Sequence, residues 1–384
     1  MASVFFGVIM STVMTSMQQG SYESMINNVV KFYSGYAQVF SEAYDENKTI
    51  NNTFVLTDSL EASIIAGNAI THSTPRLEYF ALASSEEMTK GAVVIGVDPE
   101  RENVVTEVGK WLQSGSYLNE NDDGILISIN LAEYLKLDIG DTLILYGQGF
   151  HGVTAAGLFP VRGILKFPAP ELNNQMVYMS LPAAQELFGA PGRVSSLIIM
   201  VEDHYDLPAA MMYLRDNIHS PLMAKSWDEL QPELVQMIEA DRAGGVVMKL
   251  ILYMVVGFGI LGTIIMMIAE RRRELGVTIA VGMQRGILAM IVFFETLMTG
   301  LVGAFFGILG SIPLVSYFYA NPIKLTGNAA QTMIDMGIEP YMYFSWKPMV
   351  FYGQALIVFI IALVISAYPV YKVYKLQVNH ALRA

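Results

Sequence analysis

The sequence predicts an α-helical membrane protein with four transmembrane helices and a large extracytoplasmic α+β domain inserted between helices 1 and 2. Three observations lead to this fold class. Of the 384 residues, 53% are hydrophobic and only 15% are charged, whereas a soluble domain carries about 25% charged residues. The apolar excess lies towards the two ends of the chain, and the stretch 35–228 is polar and acidic. Lys and Arg residues cluster beside the apolar segments, and such clusters set the orientation of membrane helices.

Four apolar segments are candidate spans, because a bilayer core requires about 20 apolar residues in a helix. Three of them cover residues 246–269, most of 286–319 with Glu295 as its one charge, and 349–370. The first, residues 2–17, is short and has no basic residue before it. A cleaved signal peptide would need such a positive region. We therefore predict a first span whose cytoplasmic lead-in is missing or very short.

Basic residues near the ends of these segments give the orientation. They fall in the loop after the second segment and in the C-terminal tail, as Arg271, Arg272, Arg273, Arg285, Lys372, Lys375 and Arg383. Both regions are therefore predicted to be cytoplasmic. Residues 21–245 and the loop 320–348 are then predicted to lie outside.

The outer region alternates short strand-like and helix-like runs separated by Gly and Pro. The predicted strands are 37–40, 92–95, 124–127, 142–145 and 194–201, and the predicted helices are 131–135 and 182–188. The chain has no cysteine, and its histidines here stand apart in sequence, namely His72, His151, His204 and His219. This pattern offers no metal site and no catalytic set, so we expect no enzymatic activity, metal or cofactor in this chain. The net charge of −12 argues against nucleic acid as a partner.

Two amphipathic stretches flank the outer region. Residues 21–33 continue the first span, and apolar residues recur at helical spacing from residue 227 to 238. We predict that both spans extend as a helical stalk, with Gly244 and Gly245 loosening the helix before the second span. The alternative is that they are simply the first and last helices of the outer domain, and the two interpretations are compatible.

The segment after the second span is the most specific feature of the chain. A charged cluster at the end of the span precedes a short amphipathic helix, a glycine break and the next span. Such a helix can lie at the membrane surface and present a docking face to a soluble partner. The residues concerned are Glu270, Arg271, Arg272, Arg273, Glu274, Gly276, Ala280, Gly282 and Arg285. The alternative is an ordinary positively charged anchor.

This segment resembles the signature E-R-x-x-E-x-G-x-x-x-A-x-G of the FtsX-like permeases, the membrane subunits of MacB-type and lipoprotein-releasing ABC transporters (type VII). Residues 124–141 and 175–188 also resemble the family's outer domain, with Ser128 replacing a glycine. Pro369 and the ending 380–383 resemble its C-terminus. The resemblance covers nearly the whole chain and implies a MacB-like periplasmic domain and location in the bacterial inner membrane as a multi-pass protein.

The resemblance also implies a mechanism and partners. A dimer of ABC ATPase subunits would bind ATP and Mg and grip the segment after Glu270, and closure of that dimer would be transmitted to the outer domain. The chain has no Walker A pattern, so the ATPase is expected to be a separate polypeptide. A second permease copy or paralogue and membrane lipid are further expected partners. The expected function is lipoprotein release. The alternatives are MacB-like export with a periplasmic adaptor and an FtsX-like scaffold that regulates cell-wall hydrolases.

The resulting division of the chain follows the predicted spans. It comprises 1–34 for transmembrane helix 1 and stalk, 35–228 for the MacB-like domain, 229–270 for stalk and transmembrane helix 2, 271–285 for the coupling helix, and 286–384 for transmembrane helices 3 and 4 with the cytoplasmic tail.

Two periodic patterns in the spans suggest contacts. Glycines at one face of the third span allow close helix approach, either in an assembly or within the chain, and they are Gly300, Gly303, Gly307 and Gly310. Methionines line one face of the first span, as Met10, Met14 and Met17. Because Met adapts to irregular apolar ligands, these side chains are candidates to contact a lipid chain of the substrate. The alternative is that they face the bilayer.

Overall fold

The computed structural model describes residues 2–30, 34–120, 122–168, 170–202, 204–335 and 339–376. The chain divides into two compact units. The sheet-containing unit comprises Met25–Val235 and Thr326–Pro340, and the helical unit comprises Met1–Ser24, Gln236–Leu325 and Tyr341–Ala384. The C-terminal ending 380–383 lies outside the described residues.

The strands follow one another mostly in the first two thirds of the chain. In order they are β1 (Ala37–Ser41), β2 (Phe54–Val55), β3 (Ile70–Ser84), β4 (Thr89–Val97), β5 (Leu112–Gly115), β6 (Ile125–Ser128), β7 (Thr142–Gln148), β8 (Thr154–Leu165), β9 (Met176–Ser180), β10 (Arg193–Val194), β11 (Ser196–Val201), β12 (Leu222–Ser226), β13 (Ile323–Lys324) and β14 (Tyr341–Met342).

The α-helices are short in the sheet-containing unit and long in the helical unit. In order they are α1 (Ala2–Val29), α2 (Glu42–Glu46), α3 (Asp58–Ile65), α4 (Pro99–Thr106), α5 (Ile129–Leu135), α6 (Leu181–Leu187), α7 (Leu207–Asn217), α8 (Trp227–Leu230), α9 (Pro232–Glu270), α10 (Arg272–Ala280), α11 (Arg285–Ala320), α12 (Asn328–Asp335), α13 (Pro348–Ile365) and α14 (Ala367–Tyr374).

Among the described residues, ten strands form one mixed sheet in the order β12-β1-β11-β3-β4-β9-β6-β8-β5, with β7 pairing with β3 and β8. The pairs β4–β9 and β6–β8 are parallel, and the other pairs are antiparallel. Apolar side chains from the central strands pack against α5 and α6 in one core. Those of β1 and β11 pack against α3 and α7 in another.

All seven strands and helices predicted for the outer region are present, with shifted ends. The long strand β3 was not predicted, because Pro75 interrupts its sequence and proline cannot donate to a sheet ladder. Pro75 is tolerated because β3 pairs there with β11 alone, opposite Leu197, while the pairing with β4 begins at Arg76.

Arg76 is fully buried at the centre of the sheet and binds the fully buried Glu102 of α4 with two hydrogen bonds, Nε–Oε2 at 3.1 Å and Nη2–Oε1 at 2.5 Å. Its Nη1 lies 3.3 Å from Glu78 Oε1. Burial alone would lower the pKa of Arg76, but the carboxylates of Glu102 and Glu78 outweigh burial and hold the pKa above its ordinary value. The buried charge is thus compensated within the domain.

Three helical segments are long and apolar enough to cross a membrane, in the part of the chain that the structure describes: α9, α11, and α13 with α14. Each contains a predicted C-terminal span. The last one is broken at Ser366, because Pro369 cannot donate a hydrogen bond to the carbonyl four residues earlier. Helix α1 contains the predicted first span but does not reach the same apolarity, so four spans remain a prediction.

Candidate functional site

The segment after α9 forms a short helix between two turns. Helix α9 ends at Glu270, Arg271 departs from helical geometry, and α10 runs from Arg272 to Ala280. Gly282 has a φ of +111°, a conformation that favours glycine. Helix α11 then begins at Arg285. The predicted coupling segment is therefore a separate helix held between two fixed turns.

One face of α10 is buried in the helical unit. Leu275 and Gly276 are buried, and the cluster around Leu275 includes Leu288 and Val292 of α11 and Val373 of α14. Apolar burial of this kind stabilises the position of a short helix that could not persist alone. The buried face therefore joins α10 to α11 and α14.

Two arginines of the predicted site form hydrogen bonds with other residues of the helical unit. Arg271 Nη1 donates to Glu295 Oε1 at 2.5 Å, and Arg271 Nε donates to Glu274 Oε2 at 3.3 Å. The hydrogen bond to Glu274 and the charge of Glu295 raise the pKa of Arg271 above its ordinary value. Arg285 Nη1 donates to the carbonyl oxygen of Tyr374 at 2.9 Å, at the end of α14. Both side chains therefore connect elements of the unit.

The opposite face of α10 is exposed. Arg273 and Val277 are exposed there, as is Ala280. Val281, directly after the helix, is 84% exposed. A basic surface with two exposed valines can dock on an acidic or apolar groove of another protein, because apolar contact supplies affinity and charge supplies orientation. We call the exposed residues 273, 277, 280 and 281 the outer face of α10. Arg272 is also exposed but lies on the side of α10 that carries Leu275.

The four glycines of α11 lie against helices of the same chain or are buried. A Cβ atom at Gly307 would lie 2.7 Å from Val8 Cβ, and one at Gly310 would lie 3.0 Å from Ile9 Cδ1, both on α1. At Gly300 it would lie 2.9 Å from Ala362 Cβ on α13. Gly303 is buried in the same row. These contacts lie within the chain, and the alternative of close approach in an assembly stays a prediction.

Helix α1 also runs antiparallel to α9 within the helical unit, a pairing that the sequence patterns did not indicate. The close contacts join Ser3 to Gly259, Gly7 to Val256, and Gln18 to Gly245, and Tyr22 Oη donates to Asp241 Oδ2 at 2.5 Å. Gly245 was expected to loosen α9, yet the helix is continuous there. The glycine instead provides room for the side chain of Gln18.

A buried polar group joins three of these helices. Gln354 of α13 is 5% exposed, accepts a hydrogen bond from Tyr253 Oη of α9 at 2.5 Å, and donates from Nε2 to Thr15 Oγ1 of α1 at 3.0 Å. Interhelical hydrogen bonds between such side chains contribute about 0.6 kcal/mol each in membrane proteins. The only signal in the sequence was a lone glutamine in an apolar run.

Met10 is 56% exposed on α1, and Met14 and Met17 are half-buried on the same helix. Their proposed contact with substrate stays a prediction. In the sheet-containing unit, no group of three His, Asp or Glu side chains that could hold a metal ion occurs among the described residues.

Two family profiles match this chain. The MacB-like periplasmic core domain matches residues 1–217, and the FtsX-like permease C-terminal family matches residues 246–378. The chain belongs to the FtsX-like, MacB-type family of ABC transporter permeases. The permease therefore combines a periplasmic domain of MacB type with membrane-type helices. The segment 270–282 lies inside the FtsX-like match.

Relatives of the permease are distant. It is 25% identical over 252 residues to an uncharacterized ABC transporter permease of Mycobacterium tuberculosis, covering 62% of this chain but only 27% of that protein. It is 21% identical over 321 residues to the lipoprotein-releasing system transmembrane protein LolE of Haemophilus influenzae, covering 81% of this chain and 75% of LolE. The extracellular domain of the ABC-type transporter YknZ from Gram-positive bacteria aligns with 49% of this chain and 98% of that domain, at 17% identity and a TM-score of 0.36.

Proposed function

We propose that this permease converts ATP hydrolysis by a separate ATPase dimer into movement of its periplasmic domain, and that the chain itself hydrolyses nothing. The observation that carries the proposal is the two-sided geometry of α10. Its inner side is buried at Leu275 and Gly276, and its outer face presents Arg273 and Val281 to solvent. A helix anchored on one side and exposed on the other can receive a force from a soluble partner and pass it to the packed helices.

The proposed topology has four spans with both termini in the cytoplasm. Two observations support it. Helix α1 pairs antiparallel with α9, as expected of neighbouring spans joined through an outer domain. The described residues of Thr326–Pro340, in the connection between α11 and α13, group with the sheet-containing unit. That connection is therefore expected on the same side of the membrane as the periplasmic domain.

Helix α9 is longer than a bilayer requires, and we propose that it acts as a lever. Its 39 residues correspond to about 58 Å of helix at 1.5 Å per residue, roughly twice the thickness of a hydrocarbon core of about 30 Å. The part of α9 beyond the membrane would serve as the stalk predicted from the sequence. In this mechanism no substrate passes through a channel between the helices.

The proposed substrate is an acylated protein drawn from the periplasmic leaflet of the inner membrane. The similarity to LolE over most of both chains supports lipoprotein release. The exposed residue Met10 on α1 also supports it, because Met accommodates irregular apolar ligands. Two permease chains, identical or paralogous, would face one ATPase dimer.

Affinity purification of the tagged permease from its native membranes, followed by mass spectrometry, tests this function. We expect a polypeptide with a Walker A motif to co-purify, together with an acylated protein. Recovery of a periplasmic adaptor protein instead of the acylated protein would support export, and recovery of a cell-wall hydrolase would support signalling. Absence of any ATPase from the purified permease would contradict the proposal.

A further inference from the structure

A groove of about 600 Å³ lies in the helical unit beside α10, and its lining is apolar on one side and basic on the other. The last turns of α9 supply an apolar wall with Ile265 and Ile268. Arg272 of α10 and Lys372 and Lys375 at the end of the chain's last described helix supply a basic rim. The volume is in the range of pockets that hold small molecules, about 300–1,000 Å³.

Aromatic rings position the two lysines of the rim. Lys372 Nζ lies 5.6 Å from the ring centroid of Tyr368, and Lys375 Nζ lies 4.8 Å from that of Tyr371. Both tyrosines also line the groove. Tyrosine and lysine together at the end of an apolar helix are typical of the level at which lipid headgroups lie.

The electrostatics of the groove oppose those of the whole chain. The chain carries a net charge of −12, yet the lining residues described for this groove include three cations and no carboxylate. An anion is therefore the ligand with complementary charge. The apolar wall belongs to α9, which shares the highest mean hydropathy with the last apolar helix. A ligand that matches both parts of the groove therefore has an acyl chain as well as an anionic group.

We infer that this groove binds the phosphate headgroup of an anionic phospholipid of the cytoplasmic leaflet, with Arg272, Lys372 and Lys375 around the phosphate and an acyl chain along Ile265 and Ile268. Basic pockets between membrane helices on the cytoplasmic side are sites of this kind. The inference rests on the proposed topology, which places the end of α9 at the cytoplasmic surface. A lipid bound there contacts α9, α10 and α14 together, and so strengthens the connection through which α10 is proposed to act.

The experiment is a native mass-spectrometric titration of the purified permease, without its ATPase, with phosphatidylglycerol and phosphatidylcholine of equal chain length. We expect tighter binding of phosphatidylglycerol. The triple variant Arg272→Gln, Lys372→Gln, Lys375→Gln is expected to lose on the order of tenfold or more of that affinity, since each basic residue near the headgroup contributes to attraction. Free glycerol phosphate is not expected to compete, because it has no acyl chain for the apolar wall.

Two variants serve as controls. Lys324→Gln removes an exposed lysine that lies 6.0 Å from the ring of Tyr341 but lines no part of the groove. Arg273→Gln removes the charge next to Arg272 on the outer face of α10. Both are expected to bind phosphatidylglycerol like the parent. Equal affinity for the two lipids, or a triple variant that binds like the parent, would overturn the inference. Because no ATPase is present, this result does not depend on whether the outer face of α10 binds one.

Discussion

Arg271 Nη1 and Glu295 Oε1 are 2.5 Å apart and join the turn after α9 to the side of α11. Glu295 is the one charged residue in an otherwise apolar stretch of the sequence, 286–319. Its partner comes from the signature segment itself, so two features that looked separate in the sequence form one contact. The pair fixes the end of the proposed lever α9 to the neighbouring helix.

A charge exchange tests this role of Arg271. Arg271→Glu alone places like charges against Glu295 and should reduce the ATPase activity of the complex. The double variant Arg271→Glu, Glu295→Arg restores the opposite charges and should recover most of it. Because both side chains are more than a third exposed, the direct effect on stability is expected to be small, about 0.2–1 kcal/mol.

The exchange separates positioning from direct contact with the ATPase. If Arg271 bound the ATPase itself, the double variant would be as inactive as the single one. That outcome would mean that the pair with Glu295 is incidental.

The glycines of the helical unit are expected to differ sharply in their tolerance of alanine. Gly307→Ala places a Cβ atom 2.7 Å from Val8 Cβ, and Val is too stiff at χ1 to move away easily. We expect overpacking to lower the free energy of unfolding by about 1–3 kcal/mol. Thermal unfolding of the purified permease in detergent measures it.

Gly262→Ala and Gly353→Ala are the matched controls, because a Cβ atom at either position has nothing within 4 Å. Both lie in helices of the same unit, where alanine is preferred over glycine by about 0.5–1 kcal/mol. They should be neutral or slightly stabilising. Equal destabilisation by all three substitutions would show that the close approach of α1 and α11 does not exist.

The absence of cysteine from the sequence permits a direct test of the topology. In intact cells, a membrane-impermeant thiol reagent should label Lys324→Cys, which lies in the connection proposed to be outside, and should leave Arg273→Cys unlabelled. After permeabilisation both should react, since both positions are exposed. Labelling of Arg273→Cys from outside would reverse the proposed orientation.

Removal of the buried arginine of the periplasmic domain should be costly. Arg76→Met leaves the fully buried Glu102 without its guanidinium partner, and the loss of one member of a buried pair costs about 3–5 kcal/mol. Pulse proteolysis of the full chain in urea measures the change. The double variant Arg76→Met, Glu102→Leu should recover a substantial part of the lost free energy of unfolding, because the unpaired carboxylate of Glu102 is no longer present.

The control for this variant is Arg215→Met, which removes an exposed pair with Glu229 at 2.8 Å. Exposed pairs contribute about 0–1 kcal/mol. A large loss there, or a negligible one for Arg76→Met, would refute the assignment of the buried pair as the stabilising contact.

Hydropathy and local pattern predicted the elements whose apolar residues follow a continuous run or a regular period along the chain. They are the three long apolar helices of the C-terminal part, the short helix after α9 and seven elements of the outer region. The strand β8 (Thr154–Leu165) was not predicted for the same reason as β3, because Pro160 lies inside it. Only the pairing of β8 in the sheet shows that a proline is tolerated at this position.

Contacts between distant segments could not be predicted in this way. Burial of Arg76 depends on a carboxylate from α4, and the hydrogen bonds of Gln354 depend on residues from two other helices. The row of glycines in α11 indicated close packing, but the identity of the opposing helices is a property of the tertiary fold. The resemblance to a family supplied the functional hypothesis for the segment after Glu270, because its charges alone did not distinguish it from an anchor.

The most direct test of the central claim is retention of the ATPase by the permease when the outer face of α10 is altered. The variant Arg273→Glu, Val281→Asp changes two exposed side chains and leaves the buried Leu275 and Gly276 untouched. After co-expression and purification in lipid nanodiscs, the account predicts that this variant retains about tenfold less ATPase than the parent or a Lys324→Glu control, a change of about 1.4 kcal/mol in binding free energy. Undiminished retention and undiminished ATP hydrolysis in the folded variant would contradict the account.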